Sequence, residues 1–141
     1  MYERGDFIGC DTVSTKSRIA PVTLISDAES KLLAFPIDRL MRCSRKEVIS
    51  ENMIHILADE NIKKTYKIEI ISKPGLRERI LTFLRIRSQK LGRNSFHTMM
   101  TQEQLAQFLC VNRSALSHEL NKMRNEQIID FKRDWFEILE K

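Results

Sequence analysis

The chain has 141 residues, 42% hydrophobic and 30% charged, with only 4 Gly and 3 Pro; it can bury one core, or one core and a small appendage, and its composition excludes a disordered, low-complexity or fibrous polypeptide. No apolar run approaches the roughly 20 residues of a membrane span, and the polar start Met1-Tyr2-Glu3-Arg4-Gly5-Asp6 is unlike a signal peptide, so the expected address is the cytoplasm with no membrane partner. Lys/Arg against Asp/Glu run four to five in residues 1–36, eight to six in 37–73 and twelve to eight in 74–141, a net of −1, +2 and +4 that puts the excess where a polyanion-binding module would use it.

In chain order, Gly5-Asp6-Phe7-Ile8-Gly9 reads as a glycine-punctuated strand or turn. Residues 21–25 (PVTLI) and 31–36 (KLLAFP) are expected as two short strands around the turn-forming Ser26-Asp27-Ala28-Glu29. Three fragments cannot close a barrel or bury both faces, so residues 1–36 look like the end of something larger, with a truncated N-terminus. Residues 44–72 contain no Gly or Pro and predict one long helix. In it Ile54, Asn61 and Ile68 recur every seventh residue with Leu57, Lys64 and Ile71 interleaved, the spacing of a dimer seam with a polar middle; the alternative is a helix packed on its own domain's sheet. Ser72-Lys73-Pro74 supplies a cap and a first-turn proline for the next helix, with Leu76, Ile80, Phe83 and Leu84 on its apolar face and Gly92 at its end. Arg77, Arg79, Arg85 and Arg87 fall between these positions, as a solvated face would.

Thr101-Gln102-Glu103-Gln104 has the form of a capping box, starting a helix at Gln102 whose inner face is Leu105, Ala106 and Leu109. Asn112 is placed to cap the following helix, which buries Leu116, Leu120 and Met123 and turns Arg113, Ser114, Ser117, His118, Asn121 and Lys122 outward. Those residues are donors, acceptors and cations of the sizes that reach base edges and phosphates. Two helices joined this way have the spacing of a DNA-binding helix-turn-helix; the alternative is an ordinary helical corner with a solvated face. Residues 128–131 (IIDF) and 135–139 (WFEIL) then read as strands around Lys132-Arg133-Asp134. A basic hairpin here is the wing of a winged helix, or else a turn that closes the core through Phe131 and Trp135.

With these residues in view the chain resembles the Crp-Fnr family, the cyclic-AMP receptor and fumarate-nitrate-reduction regulators. GDFIGCD is similar to the phosphate-binding end of the family's β-roll sensor, KLLAFPIDRL to its last strand and following helix, residues 44–72 to its dimerisation helix, and MTQEQLAQFLCVNRSALSHELNKMRNEQIIDF to its DNA-reading unit. The resemblance implies an α+β, mainly α fold: a β-roll remnant over 1–36, a connecting and dimerisation helix over 37–73 and a winged helix-turn-helix domain over 74–141. It implies sequence-specific binding of double-stranded DNA by a homodimer that regulates transcription, with RNA polymerase as a further partner. Implied DNA-binding residues are Thr101, Gln102, Asn112, Arg113, Ser114, Ser117, His118, Asn121, Lys122, Lys132 and Arg133; Ile54, Leu57, Asn61, Ile68 and Ile71 would form the dimer seam.

This chain departs from the family's pattern. Nucleotide-binding members hold the ribose with Gly-Glu and the cyclic phosphate with Arg-Ser; the matching positions are Gly9-Cys10 and Ala20-Pro21. A cysteine cannot accept from a ribose hydroxyl as a carboxylate does, and alanine offers a phosphate no charge, so a cyclic nucleotide is not expected. Four cluster-binding cysteines are lacking too. In the reading helix Arg113 is kept, but Ser114 stands for a glutamate and His118 for a second arginine, which predicts an altered target site. Cys110 sits where the turn usually has glycine for positive φ, at a cost on the order of 1 kcal/mol.

Cys10, Cys43 and Cys110 are too scattered for a disulfide framework or zinc site, and His55, His97 and His118 join no triad or paired-carboxylate arrangement. No enzyme, metal or cofactor is expected. The alternative to a homodimeric regulator is a partner-binding module that heterodimerises with a full-length relative through the long helix.

Overall fold

A computed structural model describes residues 6–20, 23–26 and 28–139. Its contacts divide the chain into Met1–Lys63 and Lys64–Lys141.

In the first unit the short helices α1 (Cys10–Val13) and α2 (Ile37–Leu40) precede α3 (Lys46–Ile71), which continues into the second unit. Gly9 enters α1 at φ 86°, in the left-handed region open to glycine, and Pro36 stands at the N-cap of α2. The expected strands are not formed: among the described residues of this unit none is in a strand, and Pro21, Val22 and Asp27 lie outside the described set. A strand is held by its neighbours, and these segments have none to pair with. Their apolar side chains stand in solvent, Ile25 and Leu33 each 86% exposed.

The second unit is built from the end of α3, α4 (Leu76–Leu91), β1 (Ser95–His97), α5 (Gln102–Phe108), α6 (Arg113–Asn125), β2 (Ile129–Lys132) and β3 (Trp135–Ile138). Ser72 does not cap α4. Its hydroxyl donates to the Glu69 carbonyl, and the extended Gly75 is the N-cap, one residue after the proline. Gly92 ends α4 at φ 64°, as its position predicts. The sheet is antiparallel in the order β1-β3-β2. The hairpin appears where the sequence puts it; β1 is additional, a three-residue strand with only Phe96 buried.

One core joins these elements: Ile70 of α3; Ile80, Phe83 and Leu84 of α4; Phe96 of β1; Leu105, Ala106 and Leu109; Leu116, Leu120 and Met123 of α6; and Ile129, Phe131 and Phe136 of the hairpin. The helical period thus delivers the buried stripes it predicts on α4 and α6. In the hairpin the inward residue of β3 is Phe136, stacked on its cross-strand partner Phe131 at 5.8 Å, while Trp135 is only half-buried, because side chains alternate along a strand.

Candidate nucleic-acid interface

The capping box forms as its residue types require. The Gln104 amide donates to Thr101 Oγ1 at 3.2 Å and the Thr101 amide donates to Gln104 Oε1 at 2.9 Å. Gln102, half-buried, opens α5 beside it. The chain turns from α5 to α6 through Cys110 at φ 58°, and the Val111 amide donates to the Ala106 carbonyl at 3.0 Å. With few glycines, the junctions of this unit use ordinary residues in the left-handed region: Met99 before α5, Cys110 in the turn, Gln127 after α6 and Arg133 at the hairpin tip, all with φ between 56° and 58°.

Asn112 is the N-cap of α6 by position, but its side chain makes no capping bond and is exposed. From there α6 separates its faces cleanly. Leu116, Leu120 and Met123 are fully buried, whereas Arg113, Ser114, His118, Asn121 and Lys122 are exposed and Ser117 is half-buried. A shallow groove on the outer face is lined by His118, Asn121, Lys122, Asn125 and Glu126. Asn121 is engaged at both ends, its Nδ2 donating to the Ser117 carbonyl at 2.8 Å and its Oδ1 accepting from Arg124 at 3.1 Å. Arg124 also lies over the Phe131 ring at 4.9 Å, joining α6 to the hairpin. Lys132 and Arg133 are exposed at the hairpin turn.

Arg77, Arg79 and Arg87 of α4 are not the solvated face expected of them, whereas Arg85 is exposed. Arg77 Nε donates to Glu119 Oε1 at 2.7 Å, and its two terminal nitrogens donate to the two Glu126 oxygens at 2.5 and 3.1 Å. Arg79 donates to the Lys73 carbonyl at 2.9 Å and to the Leu109 carbonyl, at the end of α5, at 3.3 Å. Arg87 donates to the Thr98 carbonyl at 3.1 Å. Thr98 is fully buried, and its amide and hydroxyl both donate to the Asp134 carbonyl, at 2.8 and 3.1 Å, which ties the hairpin turn to the strand before α5. His97 Nδ1 meets the Asp134 carboxylate at 3.1 Å on the outside of the same joint. The hydrogen bonds from Arg77 hold the Glu126 carboxyl below the usual carboxylate range, with desolvation opposing them; the two glutamates push the Arg77 guanidinium further up.

Sequence reasoning missed Arg77, Arg124, Thr98 and Asn125. A signal existed for the first: Glu119 and Glu126 lie seven residues apart on one side of α6, with an arginine-rich helix upstream to meet them. The seam residues of α3 divide, Ile54 and Ile68 standing 65% and 63% exposed and Asn61 exposed, with Leu57 and Ile71 half-buried. No group of metal-ligating residues occurs among the described residues, and none of their helices is long and apolar enough to cross a membrane.

Among known proteins, no curated protein matches the chain. A solved structure similar to it is that of a candidate transcriptional regulator of the Crp/Fnr family from Eubacterium rectale ATCC 33656, at 22% identity and a TM-score of 0.49, covering 72% of this chain and 45% of that one. The chain therefore spans less than half the length of that protein. Residues 78–141 match the Crp-like helix-turn-helix domain. That segment takes in nearly all of α4, the helix-turn-helix pair and the hairpin, where the resemblance seen in the sequence is most specific, and over it the chain carries a Crp-like helix-turn-helix domain.

Proposed function

We propose that this protein is a sequence-specific, double-stranded-DNA-binding transcription regulator that acts as a homodimer, with α6 lying in the major groove and RNA polymerase as a further partner. The observation that carries the reading is the outer face of α6: Arg113, Ser114 and His118 are exposed and make no hydrogen bond or ion pair with the described residues, on a helix whose opposite face is wholly buried. Arg113, at the first turn, takes guanine O6 and N7, with Ser114, Ser117 and His118 giving weaker or water-mediated readout. Asn112 and Asn121 assist, although the internal bonds of Asn121 limit its reach to a base. Thr101, Gln102, Lys122, Lys132 and Arg133 meet phosphates.

The homodimer is supported by the exposed side of α3. Ile54, Ala58, Asn61, Thr65 and Ile68 follow one another at alternating spacings of four and three and are all exposed. That alternation is a two-stranded seam; Leu57 and Ile71 then flank it rather than centre it. Replacing Ile54 and Leu57 by Glu should give monomers by sedimentation, and an unchanged dimer refutes the seam. Capture of a full-length relative by a chain that neither self-associates nor binds DNA would instead favour the heterodimerising module.

The reading is tested by selecting duplexes from a random pool and titrating binding with salt. Arg113→Ala should cost about 1 to 3 kcal/mol and relax preference at one base pair. Lys132→Ala should weaken all sequences alike and lower the salt slope by about one, since it removes one counterion-releasing contact. An Arg113→Ala protein with unchanged affinity and selected sequence overturns α6 as the reader.

A further inference from the structure

We infer that Arg77 is a positioning residue for DNA reading: through its fork on Glu119 and Glu126 it fixes the roll of α6 about its axis, and so sets sequence discrimination without touching DNA. The inference rests on the DNA-reading function proposed above.

Apolar contact through Leu116, Leu120 and Met123 decides which face of α6 is inward, but such contact is non-directional. It leaves small rotations of the helix weakly opposed. With side chains extending to a radius of about 6 Å, a roll of about 10° carries a tip about 1 Å sideways, whereas a recognition constellation has to be held to roughly 0.5 Å. Something directional must close that gap. The Arg77 guanidinium is such a device, since all three of its nitrogens donate to carboxylates two turns apart on one flank of α6, and a planar fork of this kind constrains angle as well as distance. On the other flank Arg124 bonds Asn121 and covers Phe131. The outer face therefore lies between two flanks that are each held by directional contacts.

The same ion pairs, read only as stability, would matter little, for Arg77 and Glu126 are partly exposed and exposed pairs contribute weakly. Their geometric effect is separable from their charge. Lysine at position 77 keeps the charge but cannot reach both glutamates with a planar fork, and Arg77→Gln with Glu126→Gln removes the pair at constant net charge.

The experiment measures, for wild type, Arg77→Lys and the double variant, binding to the selected duplex and to a scrambled duplex over a salt series, at a temperature where circular dichroism finds each fully folded. Both variants should bind the selected duplex about tenfold more weakly while scrambled-duplex affinity and salt slope stay at wild-type values, so that discrimination falls about tenfold. Equal weakening on both duplexes, a salt slope lower by one, or discrimination like that of wild type each overturns the inference; the second result would make Arg77 a phosphate contact. A wild-type protein that discriminates between no duplexes sinks the proposed function and this inference together. Loss of discrimination in wild type and its loss only in the variants are thus told apart in one assay.

Discussion

Residues 6–63 and residues 64–139 have ample apolar residues alike, yet they use them in opposite ways. In the second region helices and strands supply one stripe each to a common core, and Leu84, Leu109, Leu116, Leu120, Met123 and Ile129 are wholly removed from water. In the first, no described residue is buried, and Ile19, Ile25, Leu32 and Leu33 are each at least 75% exposed. Apolar content alone therefore builds nothing. What separates the regions is whether each stripe meets a partner: α6 meets α4, α5 and β2, whereas residues 23–26 and 30–35 have no neighbouring strand among the described residues. The same contrast bears on function, because the polar face of α6 can be presented to a ligand only when its other face is anchored.

The strongest way to break the comparison is to truncate one leucine in each region. Leu120→Ala should destabilise the second unit by about 2 to 5 kcal/mol in denaturant unfolding, whereas Leu33→Ala should fall within about 0.5 kcal/mol of wild type. Similar losses from both would mean that the first region has a core of its own. A smaller effect tests whether local hydrogen bonding matters once a core exists. Thr101→Ala, which removes the hydroxyl accepting from Gln104, should cost about 1 kcal/mol of stability by the same measurement. Smaller still and opposite in sign, Cys110→Gly should stabilise the unit by up to about 1 kcal/mol, because glycine adopts φ 58° without a Cβ clash; a loss would mean that the thiol makes contacts worth more than the backbone strain. The gentlest perturbation is pH. The folded state holds Glu126 below the ordinary glutamate value, so the stabilisation from its pairing with Arg77 is present above that value and lost as pH falls through the depressed one. The melting-temperature difference between wild type and Arg77→Gln should accordingly be full above the ordinary glutamate range and close as pH falls through the depressed value. A difference that persists in acid would assign the effect of Arg77 to packing rather than to the ion pair.

What was legible in the sequence follows the same division. Elements whose information is local were read closely: the α5 capping box, the buried stripe of α6, and the hairpin from Ile129 to Ile138; the positive φ at Cys110 was read from the resemblance to the family's turn. Elements whose information is distant were not. Residues 21–25 and 31–36 have strand composition, but a strand also needs a neighbour, which composition does not report. β1 has almost no strand signal and forms because β3 pairs with it, Phe96 opposite Phe136. Among site residues, the outward face of α6 could be listed from its period. Arg77, Arg79 and Arg87 looked like solvated charges because their partners Glu126, Leu109 and Thr98 are brought to them only by the tertiary fold.

The place of β1 in the sheet has a consequence in time. Hairpin β2–β3 and the pair α5–α6 close over short loops, but Thr98 meets Asp134 across 36 residues of chain, and that closure carries an entropy cost the local elements avoid. Folding should thus run from the helices and hairpin inward, with β1 docking last. Substitutions at Phe96 would then speed unfolding and leave the refolding rate nearly unchanged, a pattern that stopped-flow kinetics can read directly. The strand with the weakest signal in the sequence would be the latch whose release begins the loss of the helix-turn-helix unit.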